Sequence, residues 1–311
     1  MKVLVMDKVA KAAVELLREN GLEVEEAEGL GEEEMMGKIK GFDALIVRSA
    51  TKVTKNVIGA ADSLKVIGRA GAGVDNIDVS SASAKGIKVL NTPGANTISV
   101  AEHTLAMVLS LCRRTPKAHA SLRDGKWEKH LFKGRELYCK TIGVIGAGKI
   151  GREVIKRLKA FDVNILVADP FLDEAGAKEL GVKKVGMDEL LKDSFLITIH
   201  VPMTDKTRNL LDEKEFNEMK DGVKIINIAR GGIVNEKALL NALNSGKVAG
   251  AAIDTFENEP NPMPELLKHD NVVVTPHLGA ATVEAQDRAG LQVAGQIVKA
   301  LQQNEFINAV N

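Results

Sequence analysis

The sequence is short of cysteine, of net charge and of long apolar runs, and each shortage excludes something. Its two cysteines, Cys112 and Cys139, are too few and too far apart for a disulfide framework or a zinc site, so a reducing compartment fits and no metal is expected. Lysine plus arginine (42) balance aspartate plus glutamate (42), which leaves no net field to attract nucleic acid or an anionic membrane. Neither is an expected partner, and any anionic ligand must be held by local charge. The longest apolar-rich run, Thr104 to Cys112, is far below bilayer-spanning length. Met1 to Asp7 is apolar but short, Asp7 and Lys8 interrupt it, and no small-residue cleavage site follows. A soluble, cytoplasmic protein is the expectation. Low-complexity stretches and short tandem repeats are also missing, and 311 residues suit about two domains.

What is present is a rhythm. Short apolar runs alternate with helical patterns from Lys2 to Leu90, which predicts an α/β fold with parallel strands covered on both faces. Thr92-Pro93-Gly94 breaks the pattern and marks a boundary. Ser99 with Glu102 forms a capping box for a long helix to about Arg113. A second amphipathic segment, Pro116 to Arg123, leads into an irregular stretch with the only tryptophan, Trp127, which suits a site cover, a subunit contact or a plain surface excursion. From Thr141 the βα rhythm resumes, with strands predicted to end at Gly146, Asp169, His200, Arg230, Asp254 and His277. Ligands of open parallel sheets bind at the carboxyl ends of strands, so polar residues gathered there are candidates for chemistry.

The first such end is the most informative. A strand from Thr141 to Ile145 stops at Gly146-Ala147-Gly148-Lys149-Ile150-Gly151, and a helix follows with Val154, Ile155 and Leu158 on one face. Gly146 permits the tight turn, Gly148 lets backbone approach a pyrophosphate, and Gly151 lets the helix pack close to the strand. The free N–H groups of the helix start then face the anion. Asp169 ends the next strand, 18 residues (169 − 151) past the last glycine. Its carboxylate can accept from a ribose 2′-hydroxyl and would repel a 2′-phosphate, so the expected cofactor is NAD.

Hydride exchange with NAD requires a group that moves the partner alcohol's proton, and histidine suits both directions. His200 and His277 both stand at predicted strand ends, and either Glu257 or Glu259 could orient the ring. Spacing does not choose among them. Arg230, followed by Gly231-Gly232, suits the bidentate grip of a 2-hydroxy or 2-oxo acid carboxylate. His103 and His269 read as structural or solvated, and His119 and His130 carry no signal.

The chain resembles the D-2-hydroxyacid dehydrogenases along essentially its whole length, through VRSATKVT (47–54), GRAGAGVDNID (68–78), NTPGAN (91–96), DGKWEK (124–129), NIARGGIVNE (227–236), AAIDTFENEP (251–260) and TPHLGAAT (275–282). The first, second and fourth are more particular to members that act on a phosphorylated 2-hydroxy acid. The resemblance implies that Arg230 holds the substrate carboxylate, that Glu259 stands behind the histidine, and that His277 is the acid/base. It implies NAD contacts at Ala72, Gly146, Gly148, Lys149, Ile150, Gly151, Asp169, Val201, Ile228, Ala229, Asp254, Gly279 and Ala280. Val201 stands where relatives often have threonine, which puts a hydroxyl contact there in doubt. It further implies substrate contacts at Arg48, Arg69 and Asn96, and at Lys129 reaching from a neighbouring subunit of a homodimer or dimer-based tetramer. The implied layout is a flavodoxin-like substrate domain, 1–94 plus 283–311, and a Rossmann NAD-binding domain, 95–282, both doubly wound parallel-sheet domains with hydride transfer in the cleft between them. Where many phosphate-using relatives continue into a ligand-sensing domain, this chain stops at Asn311, so feedback through such a domain is not expected. A reductase of unphosphorylated 2-oxo acids in the same family, and a dinucleotide-sensing co-repressor-like binding protein, remain open.

Overall fold

Runs of valine, isoleucine and leucine become strands here because helices bury them from both sides, as parallel sheets require. The computed structural model describes residues 1–311. Strands β1 (Lys2–Val5), β2 (Glu23–Glu26), β3 (Ala44–Val47), β4 (Val66–Arg69) and β5 (Lys88–Leu90) form a parallel sheet in the order β2-β1-β3-β4-β5. The central β3 is buried throughout, whereas the edge strand β2, Glu-Val-Glu-Glu, exposes its charges and so discourages edge-to-edge pairing.

A second parallel sheet contains β6 (Thr141–Ile145), β7 (Asn164–Ala168), β8 (Lys183–Lys184), β9 (Leu196–Ile199), β10 (Val223–Asn227), β11 (Val248–Ile253) and β12 (Val272–Val274), in the order β12-β11-β10-β9-β6-β7-β8. The first order is that of flavodoxin-like folds; the second is the Rossmann order with one more strand at its edge. Strand order reverses between β6 and β9, the point where such sheets open a ligand crevice. Helices Thr97–Arg113 and Lys149–Leu158 pack on one face through Val108, Val154 and Ile155. Helices Met187–Asp193, Glu213–Glu218 and Glu236–Asn244 cover the other through Leu190, Phe216 and Leu239.

The chain divides into two compact units, Met1–Asn96 with Ala280–Asn311, and Thr97–Gly279. These crossings lie two (96 − 94) and three (282 − 279) residues from the boundaries expected above. The closing helix, Val283–Gln303, belongs to the first unit because Ala289, Val293 and Ile297 recur at helical spacing and join a core with Val3, Val5 and Val66. Gly68 on β4 admits it: a Cβ there would lie 2.5 Å from Val293 Cγ2 and 3.1 Å from Ile297 Cδ1.

Several elements differ from expectation. The long helix begins at Thr97, so Ser99 sits inside its first turn and is buried instead of capping it. The edge strand β8 was not anticipated; at two residues it is too short for a periodic signal. Strand β10 ends at Asn227 and β12 at Val274, which leaves Arg230 and His277 each three residues beyond a strand (230 − 227 and 277 − 274). Trp127 is 83% exposed.

Gly68→Val should therefore lower unfolding stability by about 1–3 kcal/mol through overpacking against Val293. Gly59→Ala, in helix Lys55–Ala60 where a Cβ meets nothing within 4 Å, should instead be neutral or stabilise by about 0.5–1 kcal/mol. Urea unfolding of the two variants checks the contrast, and equal effects would remove the packing role given to Gly68.

Candidate active site

The glycine loop follows β6 with the geometry its sequence demands. Gly146 has φ +94°, and a Cβ on it would lie 2.7 Å from the His200 carbonyl oxygen and 2.8 Å from Val201 Cγ1. Gly151 approaches so closely that its Cβ would lie 2.1 Å from the Gly146 carbonyl oxygen, which seats helix Lys149–Leu158 directly on the turn. At Gly148, the N-cap, a Cβ would meet nothing within 4 Å, so this face of the loop is open to a ligand. Lys149 is exposed and Ile150 half-buried at the helix start. Asp169 anchors the loop from β7: its Oδ2 accepts from Ala147 N at 2.6 Å and its Oδ1 from Phe171 N at 2.7 Å. Open backbone, a helix amino terminus and a carboxylate at the end of the neighbouring strand fit a dinucleotide.

The acid/base candidates separate sharply. His277 is exposed, and its Nδ1 lies 2.8 Å from Glu259 Oε2. Glu259 is itself fixed, since its Oε1 accepts from Phe256 N at 3.0 Å. Glu257 turns elsewhere: its Oε1 accepts from Glu236 N at 2.9 Å, and Glu236 Oε1 accepts from Glu257 N at 2.7 Å. That exchange locks the loop to the start of helix Glu236–Asn244. Burial pushes the Glu236 carboxyl upward, the Glu257 N–H opposes this, and the neighbouring Glu257 and Glu259 charges add to the rise. His200 lies at the end of β9 with Nε2 2.9 Å from Thr198 Oγ1, and burial pushes its imidazole down to about 3. It keeps part of its surface exposed, yet its backbone and Cβ sit against the glycine loop and burial keeps the ring neutral.

His277 owes its position to Asp254. This fully buried carboxylate follows β11; its Oδ1 accepts from Thr275 Oγ1 at 2.5 Å and Leu278 N at 2.7 Å, and its Oδ2 from Gly279 N at 2.8 Å. His103 Nε2 stands 3.3 Å from Asp254 Oδ1 and 3.1 Å from Thr275 Oγ1. Burial alone would raise the Asp254 carboxyl, but these hydrogen bonds outweigh it and hold it below the usual carboxylate range. His103, read from the sequence as structural or solvated, is thus structural and supports the turn that carries His277. The Asp254 clasp holds 275–279 in a turn, with His277 at φ +55° and its N–H donating to Asp254 O at 2.9 Å.

Arg230 is placed by Asn227. The Asn227 side chain accepts from Ala229 N at 3.1 Å and donates to Arg230 O at 2.9 Å, which ends β10 early and turns the chain. The Arg230 Nη1 donates to Ala229 O at 2.8 Å. Gly231 then passes so close to Phe256 O, 1.8 Å from a built Cβ, that no other residue fits. Ile228 Cγ2 and Asp254 Oδ2 lie 3.2 and 3.3 Å from the corresponding point on Gly279, so Ile228, Asp254 and Gly279 line one place. Val201 and Ala229 are half-buried at the ends of neighbouring strands. Asn227, Thr275, His103 and Glu236 were not singled out from sequence for this site. The only visible signal was an asparagine, and a Thr-Pro pair, at the ends of strand-like runs.

In the first unit, Arg48 follows β3 and Arg69 ends β4, strands that pair with Val47 opposite Arg69. Arg48 N donates to Asp7 Oδ2 at 2.5 Å and its Nη1 to Lys8 O at 2.9 Å. The Arg69 guanidinium folds over Gly71, where a Cβ would lie 2.1 Å from its Nη1. Ala72 O accepts from Asn91 Nδ2 at 2.6 Å, and Asn96 is half-buried at the last position before the crossing. Ala280 is exposed where the chain re-enters this unit. Lys129, in the second unit, opens an exposed 3₁₀ turn, Lys129–Phe132.

Residues 105–279 match the family model described as D-isomer specific 2-hydroxyacid dehydrogenase, NAD binding domain. The whole chain aligns with the D-3-phosphoglycerate dehydrogenase of Archaeoglobus fulgidus at 50% identity and with that of Methanocaldococcus jannaschii at 51%, covering 59% of each relative. It therefore spans about three-fifths of the length of these relatives. Among solved structures, a glyoxylate reductase from Paecilomyes thermophila is 32% identical with a TM-score of 0.89, over 100% of this chain and 98% of that one. No helix is long and apolar enough to cross a membrane.

The contrast between the histidines carries a pH signature. The folded state holds His200 neutral down to about 3, whereas the unfolded chain protonates it near ~6.5, so the unfolded state binds more protons between those values. The stability contribution is complete above ~6.5 and is lost progressively as pH falls toward 3. His200→Gln should flatten the urea midpoint over that window, and parallel wild-type and variant curves would refute the assignment.

Proposed function

Since the chain belongs to the D-isomer specific 2-hydroxyacid dehydrogenase family, we propose that it oxidises D-3-phosphoglycerate to 3-phosphohydroxypyruvate with NAD, the step that commits carbon to serine synthesis. The observation that carries this reading is an exposed histidine held at 2.8 Å by a fixed carboxylate, on the sheet edge that also bears a dinucleotide loop and Arg230. The phosphorylated substrate is supported by 50–51% identity to phosphoglycerate dehydrogenases along the whole chain.

The glycine loop and Asp169 hold NAD, which when bound supplies the hydride acceptor. Glu259 accepts the Nδ1 proton of His277, and this leaves Nε2 as the base that takes the C2 hydroxyl proton while hydride leaves C2. The same carboxylate stabilises the imidazolium that results. Arg230 grips the substrate carboxylate and draws electron density from the oxygen on C2. Arg48 and Arg69, with Asn96, bind the remainder of the substrate, the two guanidinium groups neutralising its phosphate. Lys129 adds a cation from a neighbouring subunit of a cytoplasmic homodimer or dimer-based tetramer.

NAD reduction measured across 3-phosphoglycerate, glycerate, glycolate and D-lactate tests the reading, with the phosphorylated acid expected to have the highest kcat/KM. Equal or better use of the unphosphorylated acids would transfer the assignment to a reductase of glyoxylate or hydroxypyruvate. Tight NAD binding without any turnover would point to a dinucleotide-sensing binding protein. His277→Asn should retain NAD affinity and lose about 10²–10⁴-fold in kcat. Arg48→Gln and Arg69→Gln should each raise KM for 3-phosphoglycerate by about tenfold or more while hardly changing that for glycerate.

A further inference from the structure

The opposite edge of the larger sheet holds a feature that the dehydrogenase reading does not use. Near the amino-terminal ends of β10, β11 and β12 lies a cavity of about 170 Å³, lined by Arg114, Lys117, Lys133, Arg135 and Lys224, with Asp270 as the only carboxylate in its wall. Asp270 does not neutralise the group, because it is already paired with Lys117. Arg114 is fixed by neutral acceptors, with Nη2 donating to Asn271 Oδ1 at 2.8 Å and Nη1 to Leu131 O at 3.2 Å. Lys133, Arg135 and Lys224 have no carboxylate partner in the chain.

Lys224 is the telling residue. It sits inside a strand with only 9% of its surface exposed, and its Nζ makes no hydrogen bond. Its nearest support is the Phe195 ring, 4.3 Å from Nζ to the centroid. The buried thiol of Cys112 lines the same cavity and is no carboxylate partner for it. The β10–β11 register shifts between Val223 and Lys224, an irregularity of the kind that re-aims a strand side chain. A cation set this deep without a paired carboxylate is retained against its partial desolvation, and an anion in the cavity supplies what is missing.

We propose that this cavity is a second anion site, separate from the dehydrogenase site, which takes one compact anion of two or more charges, a phosphate group or a small polycarboxylate. Its volume is below that of pockets for drug-sized ligands, roughly 300 Å³ and upward, which excludes a nucleotide. Lys224 supplies the floor of the site, Arg114 a fixed fork, and Lys133 and Arg135 the mouth. The anion does not compete with substrate, because Lys224 lies near the start of β10 and Arg230 beyond its end, with the buried Ile225 and Ile226 between them.

Calorimetric titration of the NAD-saturated protein with inorganic phosphate, and separately with citrate, tests the site. Saturable binding of at least one is expected, weakened about tenfold by Lys224→Met and by Arg135→Gln. Arg135 is exposed, so its variant folds even if removing the buried Lys224 charge perturbs the strand. Lys178→Gln, exposed and outside both sites, should bind as wild type does, and preference between the two anions separates a phosphate site from a polycarboxylate site. Absence of saturable binding, or equal binding by wild type and both pocket variants, overturns the proposal. So does binding seen only when sedimentation shows the protein dissociated, because a second copy of the chain then fills the cavity.

Discussion

The sheet edge that carries His277 depends on one buried charge. Asp254 has no exposed surface, and a carboxylate in that position is tolerated only because the Thr275 hydroxyl and the Leu278 and Gly279 amides all donate to it. Hydrogen bonds to an ionised group contribute about 1.5–3 kcal/mol each, enough to offset both its desolvation and the turn it imposes. That turn holds His277 in the left-handed region, which costs a non-glycine residue about 1–3 kcal/mol. The clasp thus converts a favourable charge interaction into an unfavourable backbone conformation that aims the imidazole at Glu259. The same clasp fixes the last residues before the chain leaves the second unit at Gly279.

Two histidines a few strands apart show how environment assigns a task. His200 and His277 follow similar apolar runs, but the first lies against the glycine loop with only a threonine hydroxyl near its Nε2. Nothing there stabilises a positive ring, so burial keeps it neutral throughout the physiological range. The second is exposed, and its Nδ1 faces the Glu259 carboxylate. Residue type is the same in both, and each lies at the carboxyl end of a strand-like run; the difference is made by the neighbours that the fold supplies.

The parts of this protein that were legible in the sequence are those governed by local rules. Alternating apolar runs and helical stripes gave both parallel sheets, and Gly146 and Gly151 meet the steric conditions their spacing implied, while Gly148 faces open space. What stayed illegible depends on partners across the fold. Glu257 and Glu259 differ by two positions, and only the folded loop shows that Glu236 engages one and His277 the other. Arg230 was expected directly after its strand, but the Asn227 side chain competes for backbone groups and ends β10 early, a known habit of asparagine that periodicity does not register. The return of helix Val283–Gln303 to the first sheet came from family resemblance; its physical basis is the absence of a Cβ at Gly68, more than 200 positions earlier.

Strand β10 ties these observations together, because its five residues carry opposite electrostatic problems at their two ends. At the carboxyl end, Asn227 shapes the loop that presents Arg230, and the unpaired backbone groups beyond the strand are satisfied by that side chain. At the amino end Lys224 brings a charge into a largely buried position beside the Phe195 ring, with no carboxylate paired to it. Its pKa is pushed down by burial, with Arg135 adding to that and Cys112 opposing it, which is the response of a cation lacking a counter-ion. A methionine would fill the same space without that penalty, so a fold built only to support the edge that carries His277 has no use for lysine there. The charge is explained when the second edge of the sheet, like the first, is a place where an anion is received.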